Sequence, residues 1–134
     1  MNFLCDTNII SEMMKRSPHP LVEQWFNTQQ IIYLSVITVE EIDCGLAYKH
    51  AARQSEWFQK FLRLRGEVLP VTEVIARQSG VWRGAFRQKG IIRTQADLLI
   101  AATAKLHQLV LVTRNTPDFE GCELQLLNPF ESVT

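Results

Sequence analysis

Short apolar runs that stop on a polar residue recur along the chain, and their spacing limits the fold more than any other property. NFLC at 2–5 stops at Asp6, IIYLS occupies 31–35, and LVLVT occupies 109–113. Runs this short and this continuously apolar do not make amphipathic helices. They read as strands buried on both faces, the pattern of a parallel sheet covered by helices on either side.

Helical patterns fill the intervals. A helix is expected from about Thr7 to Lys15, SPHP at 17–20 breaks it, and Pro20 opens a second that carries Leu21, Val22, Trp25 and Phe26 inward. Val39, Ile42 and Leu46 recur at spacings of three and four between Val36 and about Lys49, and Trp57, Phe58, Phe61 and Leu62 share a helix from about Arg53 to Arg65. Gly66 ends that helix, VLPV at 68–71 reads as a strand on or near a sheet edge because of Pro70, and Thr72 caps a helix running to about Gln88. After a turn at Lys89 and Gly90 comes a nearly all-apolar helix, Thr94 to His107. CELQLL at 122–127 alternates weakly as a last strand. Strands separated by helices imply βαβ crossovers, hence an α/β fold: a three-layer α/β/α sandwich on a central parallel sheet of four to five strands.

A length of 134 residues, with 46% hydrophobic and 21% charged side chains, suits one folded domain over 1–134. Fourteen basic and fourteen acidic residues cancel, so any attraction to phosphates must be local. Cys5, Cys44 and Cys122 form no CxxC pair, and no run approaches the length that crosses a bilayer. The expectation is a cytoplasmic protein with reduced thiols and no membrane association.

In an open α/β sheet, ligands gather at the carboxyl ends of the strands. Asp6 follows the first strand, and Thr113, Asn115 and Asp118 follow the LVLV strand. Asp97 lies in the first turn of an apolar helix, and Glu41 precedes Gly45 by four residues. Half-buried carboxylates that lack partners and crowd each other are costly, and a hard divalent cation resolves the repulsion. Each acid has a plainer reading as a helix cap, an Asx turn or a first-turn charge.

Four blocks together, LCDTNIISE, SVITVEEIDCG, ADLLIAATAKLH and VTRNTPDFEG, followed by LLNPF, resemble the PIN-domain ribonucleases, and specifically the VapC-like toxins of type II toxin–antitoxin pairs. The resemblance spans essentially the whole chain. It implies a magnesium-dependent endoribonuclease, with manganese as a substitute, whose acids fall on Asp6, Glu41, Asp97 and Asp118. Asp6 and Asp97 are the leading metal ligands and Glu41 and Asp118 the further candidates. Periodicity does not separate Glu40 from Glu41; the resemblance favours Glu41, because the family glutamate directly precedes an aliphatic residue and lies four before the glycine. Asn115 stands where some relatives carry an acid, which makes Asp118 the softest of the four. Asn8, Glu12, Thr113 and Asn115 are expected to support the rim or orient a ligand. The same resemblance implies a cognate antitoxin, a homodimer, and an RNA substrate with transfer RNA among the candidates.

Between Val74 and Ala96 there is no acid, yet Arg77, Arg83, Arg87, Lys89 and Arg93 occur there with Trp82 and Phe86 between them. These cations are candidate phosphate contacts, and a solvated helix face with its aromatics in the core is the equal alternative. His19, His50 and His107 lie in unrelated places, which disfavours a histidine-pair ribonuclease. Two other functions fit parts of the pattern. DTN after a strand superficially matches the DxD of magnesium phosphatases, with Asn8 in place of the second acid, and a PIN scaffold could serve as a binding module alone.

Overall fold

A computed structural model of the chain describes residues 1–131. Strands β1 (Phe3–Cys5), β2 (Ile32–Ser35), β3 (Gly66–Leu69), β4 (Val110–Val112) and β5 (Leu126–Leu127) form one parallel sheet in the order β3-β2-β1-β4-β5. The helices are α1 (Thr7–Met13), α2 (Pro20–Asn27), α3 (Val36–Lys49), α4 (Ala52–Leu64), α5 (Glu73–Gln88) and α6 (Gln95–Leu106), with a 3₁₀ turn at Thr116–Phe119. This is the expected three-layer α/β/α arrangement, at the upper end of the expected strand number.

The period of two along each strand sorts the core into its two halves. Cys5, Ile32, Leu34 and Val112 face Ile9 and Ile10 of α1, Phe26 of α2, and Phe58 and Phe61 of α4. Leu4 and Leu111 face the other way, against Leu98, Ile100 and Ala101 of α6 and Phe86 of α5. The aromatic residues of α2 and α4 therefore fill the interior. Trp57 stacks on Phe61 at 5.4 Å, and the Arg65 guanidinium lies 4.6 Å over the Phe26 ring while donating to the carbonyls of Phe26 and Gln29.

Helix starts follow from side-chain caps. The hydroxyls of Ser35, Thr72 and Thr94 accept the N–H groups of Ile37, Ile75 and Asp97 at 3.1, 3.3 and 3.1 Å. Helix α1 is shorter than its pattern suggested and stops at Met13, with Met14 as its cap.

Two strands differ from the sequence reading. The third runs from Gly66 to Leu69 rather than 68–71, pairing from Ile32↔Gly66 to Ser35↔Leu69 on the sheet edge. Proline lacks the N–H that a ladder needs, so pairing ends before Pro70. The last strand shrinks from 122–127 to Leu126–Leu127 because Glu123 takes a left-handed backbone (φ 54°), and only the final two residues reach register with Leu111 and Val112. Among the described residues no helix is long and apolar enough to cross a membrane.

Gly66 both ends α4 and starts β3, and a Cβ there would sit 3.0 Å from the Phe61 ring and 3.2 Å from the Leu62 backbone. Gly66→Ala is expected to lower unfolding stability by about 1 to 3 kcal/mol, as overpacked sites do, in a denaturant titration. An unchanged midpoint would mean that the α4–β3 corner yields to the added methyl group without cost.

Candidate active site

The chain winds from β1 outward through β2 to β3 and then crosses back to β4 and β5 on the opposite side of β1. A crevice opens at such a reversal, beyond the carboxyl ends of the two diverging strands. Asp6 leaves β1 and Thr113 leaves β4 at that point, and the Asp6 N–H donates to the Val112 carbonyl at 2.8 Å.

Asp6 is buried, with 5% of its surface exposed. Its Oδ1 accepts the Thr7 N–H at 2.8 Å, so the carboxylate caps α1 as the plainer reading of the sequence proposed. Its Oδ2 accepts the Thr113 hydroxyl at 2.8 Å and the Asn8 amide at 3.3 Å. The Thr113 hydroxyl in turn accepts the Asn115 N–H at 3.1 Å, and Asn8 Oδ1 accepts the Arg114 N–H at 3.3 Å. Thr113 and Asn8 thus lock the Asp6 side chain across the β1–β4 seam.

Glu41 enters from α3. Its Oε1 accepts the Thr7 hydroxyl at 2.6 Å, and that hydroxyl lies 3.0 Å from the Thr38 hydroxyl. One residue, Thr7, therefore bridges the two acids, through its amide to Asp6 and through its hydroxyl to Glu41. Asp97 reaches the same cleft from the first turn of α6, where the Thr94 cap fixes its backbone. Asp6, Glu41, Asp97, Asn8 and Asn115 all line a cleft of about 440 Å³. Glu40 is not among its lining residues, so the fold separates the two adjacent glutamates.

The acids perturb one another. Burial pushes the Asp6 carboxyl up to about 6, against the hydrogen bonds from Thr113 and Thr7, and the charges of Asp97 and Glu41 push it further in the same direction. Burial also raises the Asp97 carboxyl, with Asp118 and Glu41 adding to the rise while Thr94 and Arg93 oppose it. Among the described residues no three acidic, cysteine or histidine side chains are drawn into a ready-made cation cage. A magnesium ion does not require one, since it keeps several waters and takes one or two carboxylates together with substrate phosphate. Asp6 Oδ1, which accepts only a single N–H, retains acceptor capacity for such an ion. The donor set fits a hard divalent cation.

Other sequence candidates are placed differently. Asp118 follows β4 as expected, but it is exposed in the 3₁₀ turn, outside the cleft lining, with Oδ1 4.0 Å from Arg93. Glu12 lines the cleft yet is sealed rather than free: Oε1 meets Lys15 Nζ at 2.8 Å and Oε2 accepts the His19 N–H at 2.9 Å. Burial alone would raise its carboxyl, and these two donors, with the charges of Lys15 and Arg114, overcome that and hold it below the usual range. Of the basic segment, Arg83, Arg87 and Lys89 are exposed, and Arg77 pairs with Glu73 at 2.8 Å on the surface. Arg93 has a structural post instead, donating to the Pro117 and Glu120 carbonyls and lying 5.1 Å over the Phe86 ring. Trp82 packs against the core. None of the three histidines lines the cleft. Thr7, Ser11, Lys15, Arg114 and Phe130 line it without having been singled out from the sequence.

The sequence profile of the PIN domain matches residues 3–120. The chain belongs to the PIN-domain family. Within that family it is similar to the VapC ribonuclease Y4jK of Sinorhizobium fredii, 37% identical over 134 residues that span 94% of this chain and 96% of the relative. Among solved structures, FitAcB from Neisseria gonorrhoeae superposes with a TM-score of 0.84 at 32% identity, covering 97% of this chain and 99% of that one. A toxin–antitoxin complex from Klebsiella pneumoniae matches with a TM-score of 0.77 at 28% identity, covering 98% and 100%.

The buried acid of this PIN domain has a measurable consequence. Asp6 holds its proton more firmly folded (about 6) than at its ordinary value of 3.8, so ionising it weakens the metal-free fold, and the loss develops as pH rises between those two values. In EDTA, the stability of Asp6→Asn relative to the parent is expected to improve by about 2 to 3 kcal/mol from pH 4 to pH 7.5, read from urea midpoints. A pH-independent difference would show that Asp6 is solvated.

Proposed function

We propose that the protein is a metal-dependent endoribonuclease and the toxin of a toxin–antitoxin pair, using Mg²⁺ with Mn²⁺ as a functional substitute. The observation that carries this reading is the convergence of Asp6, Glu41 and Asp97, from three separate elements, on one cleft in which their charges repel. Asp6 and Asp97 would hold the cation, with Glu41 completing the set. When bound, the cation neutralises the acids, lowers the pKa of water and steadies the charge that develops on phosphate.

The chain's own groups do the positioning. Thr113 and Asn8 hold the Asp6 carboxylate in one orientation, and Thr7 couples it to Glu41. Asn115 at the cleft wall orients a ligand or a water. In-line attack by water on the phosphodiester breaks the P–O3′ bond and leaves a 5′ phosphate and a 3′ hydroxyl, with no need for the 2′ hydroxyl as nucleophile. The absence of histidine from the cleft lining agrees with that route. Arg83, Arg87 and Lys89, exposed on or just after α5 and outside the cleft lining, are candidate phosphate contacts.

Two partners complete the reading. A small cognate antitoxin would cover the acidic cleft, in keeping with the similarity to a toxin–antitoxin complex. A homodimer is supported by Val74 and Val81, which project from α5 with 59% and 68% of their surfaces exposed. Three unpaired cysteines suit the reducing cytoplasm. Transfer RNA is the first substrate to test.

RNA cleavage by the purified protein is expected to stop in EDTA and to return with Mg²⁺ or Mn²⁺. Asp6→Asn and Asp97→Asn should each lower kcat by about a hundredfold or more, whereas Asp118→Asn, outside the cleft, should cost less than about tenfold. Cleavage that persists in EDTA, or in a folded Asp6→Asn protein, would refute the mechanism. Turnover of small phosphate monoesters without RNA cleavage would make the protein a phosphatase.

A further inference from the structure

The cleft wall carries one cation, Arg114, that no acid among the described residues meets at ion-pair distance. Arg114 follows Thr113 at the end of β4 and is pinned at three points. Its N–H donates to Asn8 Oδ1 at 3.3 Å, its carbonyl accepts the Asn128 amide at 3.4 Å, and its guanidinium lies 4.6 Å over the Phe130 ring. Phe130 is fixed in turn, because its N–H donates to Asn128 Oδ1 at 3.0 Å and its ring meets the edge of His19 at 5.3 Å. Both residues line the cleft that holds Asp6, Glu41 and Asp97.

Among the described residues the Arg114 guanidinium makes no ion pair and donates no hydrogen bond. The contrast with the other cation of the cleft is direct, since Lys15 is engaged by Glu12 at 2.8 Å. Glu12 feels the Arg114 charge, which helps hold its carboxyl down, but its oxygens accept Lys15 and the His19 N–H and neither accepts from Arg114. A guanidinium stacked on an aromatic face keeps its planar fork of donors free at the edge, and that fork matches two oxygens of a phosphate.

We propose that Arg114 is a substrate-binding residue of this nuclease, with its guanidinium contacting the non-bridging oxygens of the RNA phosphate that enters the cleft, and that Phe130 positions it. The inference rests on the nuclease reading above and adds a residue that the pattern of acids does not contain. An acidic cleft repels a polyanion, and a bound dication offsets only part of that repulsion. A cation fixed beside the acids gives the phosphate a counter-charge that requires no side-chain ordering when RNA binds.

The test is steady-state cleavage of a fluorophore–quencher oligoribonucleotide and of transfer RNA by the parent, Arg114→Ala, Arg114→Lys and Phe130→Leu proteins, each checked for an unchanged melting temperature. Arg114→Ala is expected to lower kcat/KM by about tenfold or more and to reduce the slope of log affinity against log salt by about one. Arg114→Lys keeps the charge and the salt slope but not the fork, and is expected to recover only part of the rate. Phe130→Leu should cost severalfold alone and nothing further in the Arg114→Ala background, because the ring acts through the guanidinium. Oligoribonucleotide binding read by anisotropy, with Ca²⁺ replacing Mg²⁺, separates this inference from the nuclease reading. A parent that binds but never cleaves defeats the nuclease reading alone. A folded Arg114→Ala protein that matches the parent in affinity, salt slope and kcat/KM within twofold overturns the inference.

Discussion

Asp6 stands at the end of the central strand with both carboxylate oxygens engaged by groups from two sides of the seam. Oδ1 caps the helix that follows it and Oδ2 holds the Thr113 hydroxyl at the end of β4. That one side chain therefore ties the start of α1 to the β1–β4 junction, the place where the strand order reverses and a crevice must form. It is also the most buried of the cleft acids. A carboxylate kept there is held against its own desolvation, which raises its pKa rather than lowering it.

The remaining geometry follows from where helices begin. Glu41 reaches the cleft because α3 starts immediately after β2, with Ser35 as its cap, and this places Thr38 and Glu41 on the turn facing Thr7. Asp97 reaches it because Thr94 fixes the first turn of α6, and the apolar body of that helix, Leu98, Ile100 and Ala101, anchors it under the sheet. The acids are placed by packing on two different faces of one sheet. Their mutual repulsion is imposed by the core, and that is the electrostatic arrangement a dication satisfies.

The parts legible in the sequence were those with local signals. Continuous apolar runs gave β1, β2 and β4, and caps and three-to-four spacing gave the helices to within a residue or two. Pro70 marked an edge strand, though it ended β3 instead of lying within it. Glu123 shortened β5 through a left-handed backbone that nothing in CELQLL announces. The resemblance of the four blocks put Asp6, Glu41 and Asp97 forward, and the fold brings all three to one cleft. The fold then chose Glu41 over Glu40 through the Thr7 hydroxyl, a contact between residues 34 positions apart. Glu12 and Arg93 carry charge in suggestive places and yet are used up by Lys15 and His19, and by the carbonyls of Pro117 and Glu120. Such commitments depend on loop conformations that have no periodicity. Arg114 and Phe130 lie 16 residues apart and meet only because β5 returns the chain beside β4, so no local pattern identifies them.

The claim on which the account turns is that Asp6 and Asp97 share one hard dication in the cleft. Diffraction from crystals soaked in Mn²⁺, recorded near the manganese edge, tests it most directly. The account predicts an anomalous peak inside the cleft, with carboxylate oxygens of Asp6 and Asp97 among its ligands and no peak in crystals of the Asp6→Asn protein. Manganese bound only elsewhere, in crystals of protein that cleaves RNA, would contradict it.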